Sequence, residues 1–203
     1  MFFNHLQIHH FPFDRTQIPH DGIYILFEVG ETAHGTNRIV RVGTHTGSGQ
    51  LRSRLEQHFV HENKDRSIFR KNIGRAILSR NHDPFLAQWE IDLTTTTAKQ
   101  RHGASVDTGK QKQIEQQVSQ YIRNHFFFAV YCIEDKDERM ELESKLISTV
   151  SLCTDCCPTD SWLGQYSPKE RIRESGLWLV NELYKQTLSS SEYDYFFVKQ
   201  SLR

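Results

Sequence analysis

Gly22-Ile23-Tyr24-Ile25-Leu26-Phe27-Glu28-Val29, then Arg38-Ile39-Val40-Arg41-Val42-Gly43-Thr44, then Leu51-Arg52-Ser53-Arg54-Leu55-Glu56-Gln57-His58-Phe59 follow one another in the first third of the chain. The first two runs are rich in β-branched and aromatic residues, and the connector between them, Gly30 to Asn37, is rich in turn formers. Such a pattern predicts a β-hairpin. The third run changes period: Leu51, Leu55 and Phe59 recur every fourth residue, the apolar stripe of a helix. On that helix Arg54 and His58 stand four apart and are neighbours on its surface.

Outward from this block, Phe69, Ile73 and Ile77 predict a second helix over 67–80, and a strand is expected at 85–93. Residues 94–110 open with Thr94-Thr95-Thr96-Thr97 and hold little apolar content, so they read as a flexible insertion. A polar helix over 111–124 leads into the apolar strand 126–133, and a helix over 136–150 follows. Ser167-Pro168-Lys169-Glu170 has the form of a capping box with proline at the first helical position. Gly176 suits a break before a last helix over about 177–187, and the tail from Ser189 ends in aromatic residues fit for docking. The order strand, strand, helices, strand, helix predicts an α+β domain: a small, mainly antiparallel sheet of three strands flanked by helices, with extra helices toward the C-terminus. The 203 residues read as a single domain with a core over about 21–185 and a tail over 189–203.

No run of about 18 apolar residues predicts a membrane span, and the N-terminal Met1-Phe2-Phe3-Asn4-His5 lacks the form of a signal peptide. A cytoplasmic location is expected. Cys132, Cys153, Cys156 and Cys157 then read as free thiols. The Cys153-x-x-Cys156-Cys157 cluster leaves a structural zinc as the minor alternative, because a strong zinc signature needs two spaced ligand pairs. The formal net charge is zero, yet residues 38–82 hold ten lysines and arginines against three acids, while 134–143 hold six acids against two basic residues. A local basic face on a neutral chain suits a polyanion, with a solvated helical surface as the plain alternative.

Gly22-Ile23-Tyr24, the Val42-Gly43 pair, Arg54-x-x-x-His58 and a later helix bearing Glu143 together resemble the GIY-YIG nuclease superfamily. Arg41-Val42-Gly43-Thr44-His45, Ser67-Ile68-Phe69-Arg70, Trp162-Leu163-Gly164 and Ser175-Gly176-Leu177-Trp178 resemble a bacterial branch of it. The resemblance implies metal-dependent hydrolysis of DNA phosphodiesters, in restriction or phage defence or in repair, with double-stranded DNA as partner. One Mg2+ or Mn2+ ion per site is implied, and whether the chain pairs into a homodimer stays open. The alternative is a related fold kept as a nucleic-acid-binding or interaction subunit with weakened catalysis.

The resemblance assigns Tyr24 to activating water. A phenol with pKa about 10 needs positive charge beside it for this task. Arg41 stands where many relatives carry a second tyrosine; it cannot accept a proton, but it can hold phosphate or favour the phenolate. Arg54 matches the arginine that stabilises charge on phosphate, and His58 the histidine that bonds tyrosine or phosphate. Glu143 matches the single carboxylate that binds the metal; Mg2+ needs few carboxylates because it keeps its waters. The late asparagine of the branch falls on Leu179 here, with Asn181 and Gln165 as the polar residues nearby. His45, Arg70, Lys71 and Arg75 are expected to contact nucleic acid through phosphate.

Overall fold

A computed structural model describes residues 2–199, so the last four residues of the tail lie outside it. The strands are β1 (Ile8–His10), β2 (Gly22–Ala33), β3 (Thr36–Gly43) and β4 (Phe126–Cys132). The helices are α1 (Leu51–Phe59), α2 (Ile68–Arg80), α3 (Leu86–Trp89), α4 (Thr96–His102), α5 (Thr108–His125), α6 (Lys136–Ser151), α7 (Glu170–Ser175) and α8 (Ser190–Tyr193). The sheet runs β1-β4-β2-β3 and every pairing is antiparallel. It therefore has four strands among the described residues, where the sequence predicts three. The additional one, β1, is a three-residue edge strand, too short to show alternation.

β2 is internal to the sheet and its first half is buried on both faces, which is why Ile23 to Phe27 is apolar without interruption. Tyr24 and Leu26 join Val40, Phe126 and Phe128 against α1, α2 and α5, in a core built on Leu55, Phe69 and Val118. Ile23, Ile25 and Phe27 face the other way and pack with Val42, Leu142, Leu146 and Ile147, so α6 covers the opposite face. Successive strand residues point to opposite faces, and this alternation puts Tyr24 in one layer and the helix of Glu143 in the other. Phe196 and Phe197 of the tail dock into this second core beside Phe3. The hairpin between β2 and β3 turns at His34-Gly35, with φ of 52° and 70°. Positive φ at both central residues suits a two-residue turn matched to the twist of its strands.

Several local expectations are corrected. Residues 85–93 form α3 and irregular chain instead of a strand: Trp89 is drawn under α2, where its ring fills the space a side chain at Gly74 would need. The stretch 94–110 contains α4, capped by Thr95, and Val106 anchors it in the core. No helix forms over 177–187; Trp178 N–H instead donates to Val40 O at 2.8 Å, so the apolar run lies along the outer edge of β3. Ser167 does not form a capping box, because α7 begins later, at Glu170 after Lys169; the box occurs at Ser189 and Glu192.

Candidate active site

β3 is the sheet's edge, and the two helical layers meet beyond it. A cleft of about 440 Å3 opens there, lined among others by Arg41, Arg54, Asn72, Glu143, Asn181 and Glu182. A second cleft of about 320 Å3 shares Arg54 and extends past Thr44, His45 and Gln57. Arg54 thus borders both.

Tyr24 pairs with Gly43 across the hairpin, Ile25 with Val42 and Leu26 with Arg41. The next pair is Phe27 with Ile39, so Val40 is the extra residue of a β-bulge. Bulges re-aim side chains, and this one adjoins Arg41, which shares the helical face of the hairpin with Tyr24. Arg41 Nε donates to Tyr24 Oη at 3.4 Å and its Nη1 donates to Trp178 O. The glycine at 43 has a steric cause: a Cβ there would stand 2.2 Å from Tyr24 Oη.

Tyr24 Oη lies 2.8 Å from His58 Nε2, and His58 Nδ1 lies 2.7 Å from Ser67 Oγ. With Tyr24 donating to Nε2, the imidazole hydrogen sits on Nδ1 and Ser67 Oγ accepts it. Ser67 also caps α2, accepting the Arg70 N–H at 3.2 Å. His58 is fully buried, and burial, reinforced by Arg54, Arg41 and Arg70, holds its pKa well below the ordinary histidine range. It is a neutral imidazole at neutral pH.

Glu143 stands on α6, half-buried at the cleft wall. Its Oε1 accepts the Thr44 N–H at 3.0 Å, joining α6 to the end of β3. Burial raises its carboxyl above the usual range, while Arg41, the Thr44 amide and Arg54 oppose the shift. The donor set fits a hard cation such as Mg2+: one carboxylate at a cleft with room for the ion's waters, with a second, Glu182, also lining it. Glu141 is exposed and paired with Lys145, and does not line the cleft.

The structure thus brings Tyr24, Arg41, Arg54, His58 and Glu143 around one cleft, although Tyr24 and His58 lie beneath its surface. Asn181 lines the cleft beside Leu179, whereas Gln165 is exposed elsewhere. Two polar groups take roles that the sequence does not assign. Ser67, part of the Ser67-Ile68-Phe69-Arg70 stretch, is the N-cap of α2 and the partner of His58. Asn72 is buried, its Oδ1 accepts from Arg75 Nη1 at 2.6 Å, and its Nδ2 has no hydrogen-bond partner among the described residues. No motif in the sequence marks it.

The surface expected of the basic segment is largely absent. Arg38, Arg41, Lys64, Arg70, Lys71 and Arg75 are all buried. Arg70 pairs with Glu115 at 2.7 Å and reaches His58 O at 3.0 Å. Lys71 Nζ donates to Glu90 O at 2.8 Å, and Arg75 forks onto the Glu90 carboxylate at 2.5 Å. His45 is also buried, bonding Gly47 O at 2.6 Å and approaching Gly22 N at 3.4 Å. Arg70, Lys71 and Arg75 fasten the interior, while His45, though buried, borders the second cleft. A buried carboxylate organises the same face of β2 further along the strand: Glu28 Oε2 accepts from both Trp162 Nε1 and Trp178 Nε1 at 2.8 Å, and Oε1 from Tyr121 Oη at 2.5 Å. Because Trp178 O holds Arg41, this network reaches the cleft through one residue. No helix among the described residues is long and apolar enough to cross a membrane.

A family model described as GIY-YIG domain matches residues 9–198. No curated protein and no solved structure matches the chain.

Proposed function

Because the chain belongs to the GIY-YIG domain family, with its nuclease-type function, we propose that it is an endonuclease that hydrolyses double-stranded DNA with one Mg2+ or Mn2+ ion, acting in restriction or phage defence. Tyr24, Arg41, Arg54, His58 and Glu143 are its catalytic set. The observation that supports this most is their convergence: a buried tyrosine–histidine pair, two arginines and a carboxylate meet at one cleft from four elements, β2, β3, α1 and α6, and both sides of the sheet.

Arg41 and Arg54 line the cleft where a phosphate's charge would sit, and guanidinium suits phosphate oxygens. Asn72 Nδ2 adds a buried donor without a partner among the described residues at the same cleft. Such a donor is costly to bury and favours an acceptor brought by substrate. Tyr24 is the general base once ionised, passing its proton to His58 Nε2 over 2.8 Å. In the substrate-free cleft this transfer is uphill, because burial and the arginines disfavour imidazolium. A bound phosphate offsets the charge of Arg41 and Arg54 and so eases it. Tyr24 is itself 0% exposed, and of its two polar neighbours Arg41 is the one that lines the cleft. Water therefore reaches Oη when the guanidinium turns toward phosphate. Glu143 would hold the divalent ion, which supplies Lewis-acid stabilisation of the phosphate's developing charge.

The covered state of Tyr24 also favours a second reading, a nucleic-acid-binding subunit without cleavage. The two separate in one assay of plasmid, linear and single-stranded DNA across several divalent metals. Metal-dependent cutting that is lost in Tyr24→Phe and Glu143→Gln supports the nuclease. Salt-sensitive DNA binding with no cutting under any metal supports the second reading.

A further inference from the structure

At the tip of the β2–β3 hairpin, His34 Nε2 lies 3.3 Å from Cys153 Sγ and 3.2 Å from Cys156 Sγ. The two cysteines follow α6, so the contacts join segments separated by 119 and 122 positions. We propose that His34, Cys153 and Cys156 form a zinc site that clamps the hairpin tip to the chain beyond α6.

One ring nitrogen offers one lone pair, or one N–H, in the ring plane. Two thiols converging on that single nitrogen are poorly served by hydrogen bonding, since only one of them can use it well. A shared ion satisfies all three at once. The three ligand atoms lie within 4.8 Å of one another. A tetrahedral zinc, with bonds of about 2.3 Å to sulfur and about 2.0–2.1 Å to nitrogen, spaces its ligand atoms by roughly 3.5–3.8 Å, so the cluster opens only slightly to admit it. The donors are soft thiolates and an imidazole, which select zinc over the hard ions that favour carboxylate. Cys157 is not in the set: it is exposed, and its thiol donates to Thr154 O at 3.2 Å. The fourth position is left to a solvent molecule. Binding releases the two thiol protons to solvent.

The turn prepares the histidine. His34 adopts φ of 52°, imposed by the two-residue turn, and this orients its ring toward the cysteines. The site is remote from the cleft, because His34 sits in the turn at the far end of the hairpin from Tyr24: β3 covers that span in the seven residue steps from Gly43 to Thr36, roughly 23 Å at about 3.3 Å per residue. Yet it joins the two elements that carry Tyr24 and Glu143, the hairpin and α6, at their far ends. Its role is mechanical, and it does not enter the phosphodiester chemistry.

The full chain, purified reduced and stripped of metal, is titrated with Co2+ and then Zn2+. The expected result is one equivalent bound, with thiolate-to-cobalt charge-transfer and tetrahedral ligand-field bands that zinc displaces, and a higher unfolding temperature. Cys153→Ser, Cys156→Ser and His34→Ala should each weaken binding by more than about 100-fold, the upper end of the effect of losing an outer contact alone. His34 is exposed at a turn, so His34→Ala keeps the fold, checked by circular dichroism, and isolates the ligand role. Cys157→Ser should bind as the unaltered chain does. Binding that fails in the unaltered reduced chain, a disulfide between Cys153 and Cys156 in its place, or binding that survives His34→Ala and fails in Cys157→Ser would overturn the site.

Discussion

The hydroxyl of Tyr24 and Nε2 of His58 lie 2.8 Å apart with both side chains fully buried. The pair is closed on one side by Ser67 at 2.7 Å and on the other by Arg41 at 3.4 Å. A tyrosine so placed is not an ordinary core residue, since its hydroxyl meets one group able to take its proton and one able to stabilise the anion left behind.

His58 sets the pH behaviour. Burial keeps its folded pKa well below the ordinary value. The unfolded chain therefore takes up the proton first as pH falls, near about 6.5. The folded state loses stability as pH drops below that point and is fully stable with respect to this group above it. The acid limb of cleavage at subsaturating DNA, which reports the free protein, should likewise lie below the usual histidine range, because the imidazole stays neutral there. Unfolding and cleavage measured from pH 8 down to about pH 5 check both; an acid limb at or above the ordinary histidine value would count against this role.

Gly43→Ala tests the packing of Tyr24. The new methyl would meet the phenol at 2.2 Å from Oη and 2.3 Å from Cζ, and a ring between two strands and a helix cannot simply yield. Overpacking of this kind costs about 1–3 kcal/mol. Chemical denaturation should show that loss, and cleavage should fall further than stability explains. A fully active, equally stable variant would mean that the ring has room to move.

Glu143→Gln separates metal from scaffold. The amide oxygen can still accept the Thr44 N–H that Glu143 accepts at 3.0 Å, so unfolding should change by less than about 1 kcal/mol. Metal-dependent cleavage should nevertheless be lost, as it should be for the unaltered chain in excess chelator. Retained cleavage would move the metal to another residue, Glu182 being the first alternative in that cleft.

Asn72→Ala addresses the unpartnered donor. Removing Nδ2 takes away a buried group with no partner among the described residues, but it also removes the oxygen that Arg75 uses, so a stability loss of about 1–2 kcal/mol is expected. If Asn72 contacts substrate, cleavage falls at saturating metal on the folded fraction as well. Asn72→Asp keeps the Arg75 bond and should fail in cleavage through repulsion of phosphate; normal cleavage by that variant would remove Asn72 from the site.

What sequence made legible was whatever carries its signal locally. The hairpin, α1 with Arg54 and His58, and α6 with Glu143 were readable because apolar period and motif spacing coincide there. The run Leu177-Trp178-Leu179-Val180 was misread as helical because its apolar content answers to the β3 edge, through Trp178 and Val40. The basic face dissolves for a similar reason: Glu115, Glu90 and Glu31, which neutralise Arg70, Arg75 and Arg38, lie outside residues 38–82. His34 could not be joined to Cys153 and Cys156 from sequence, since only the sheet and α6 bring them together.

The rate of plasmid cleavage by Tyr24→Phe, beside the unaltered chain and with Mg2+ or Mn2+ present, tests the nuclease assignment most directly. The substitution removes one oxygen and leaves the ring that fills the space over Gly43. The unaltered chain should cut in a metal-dependent way, and the variant should cut slower by at least about 100-fold, the lower range for loss of a general base. Equal rates for the two, or no cutting by the unaltered chain with either metal, would contradict it.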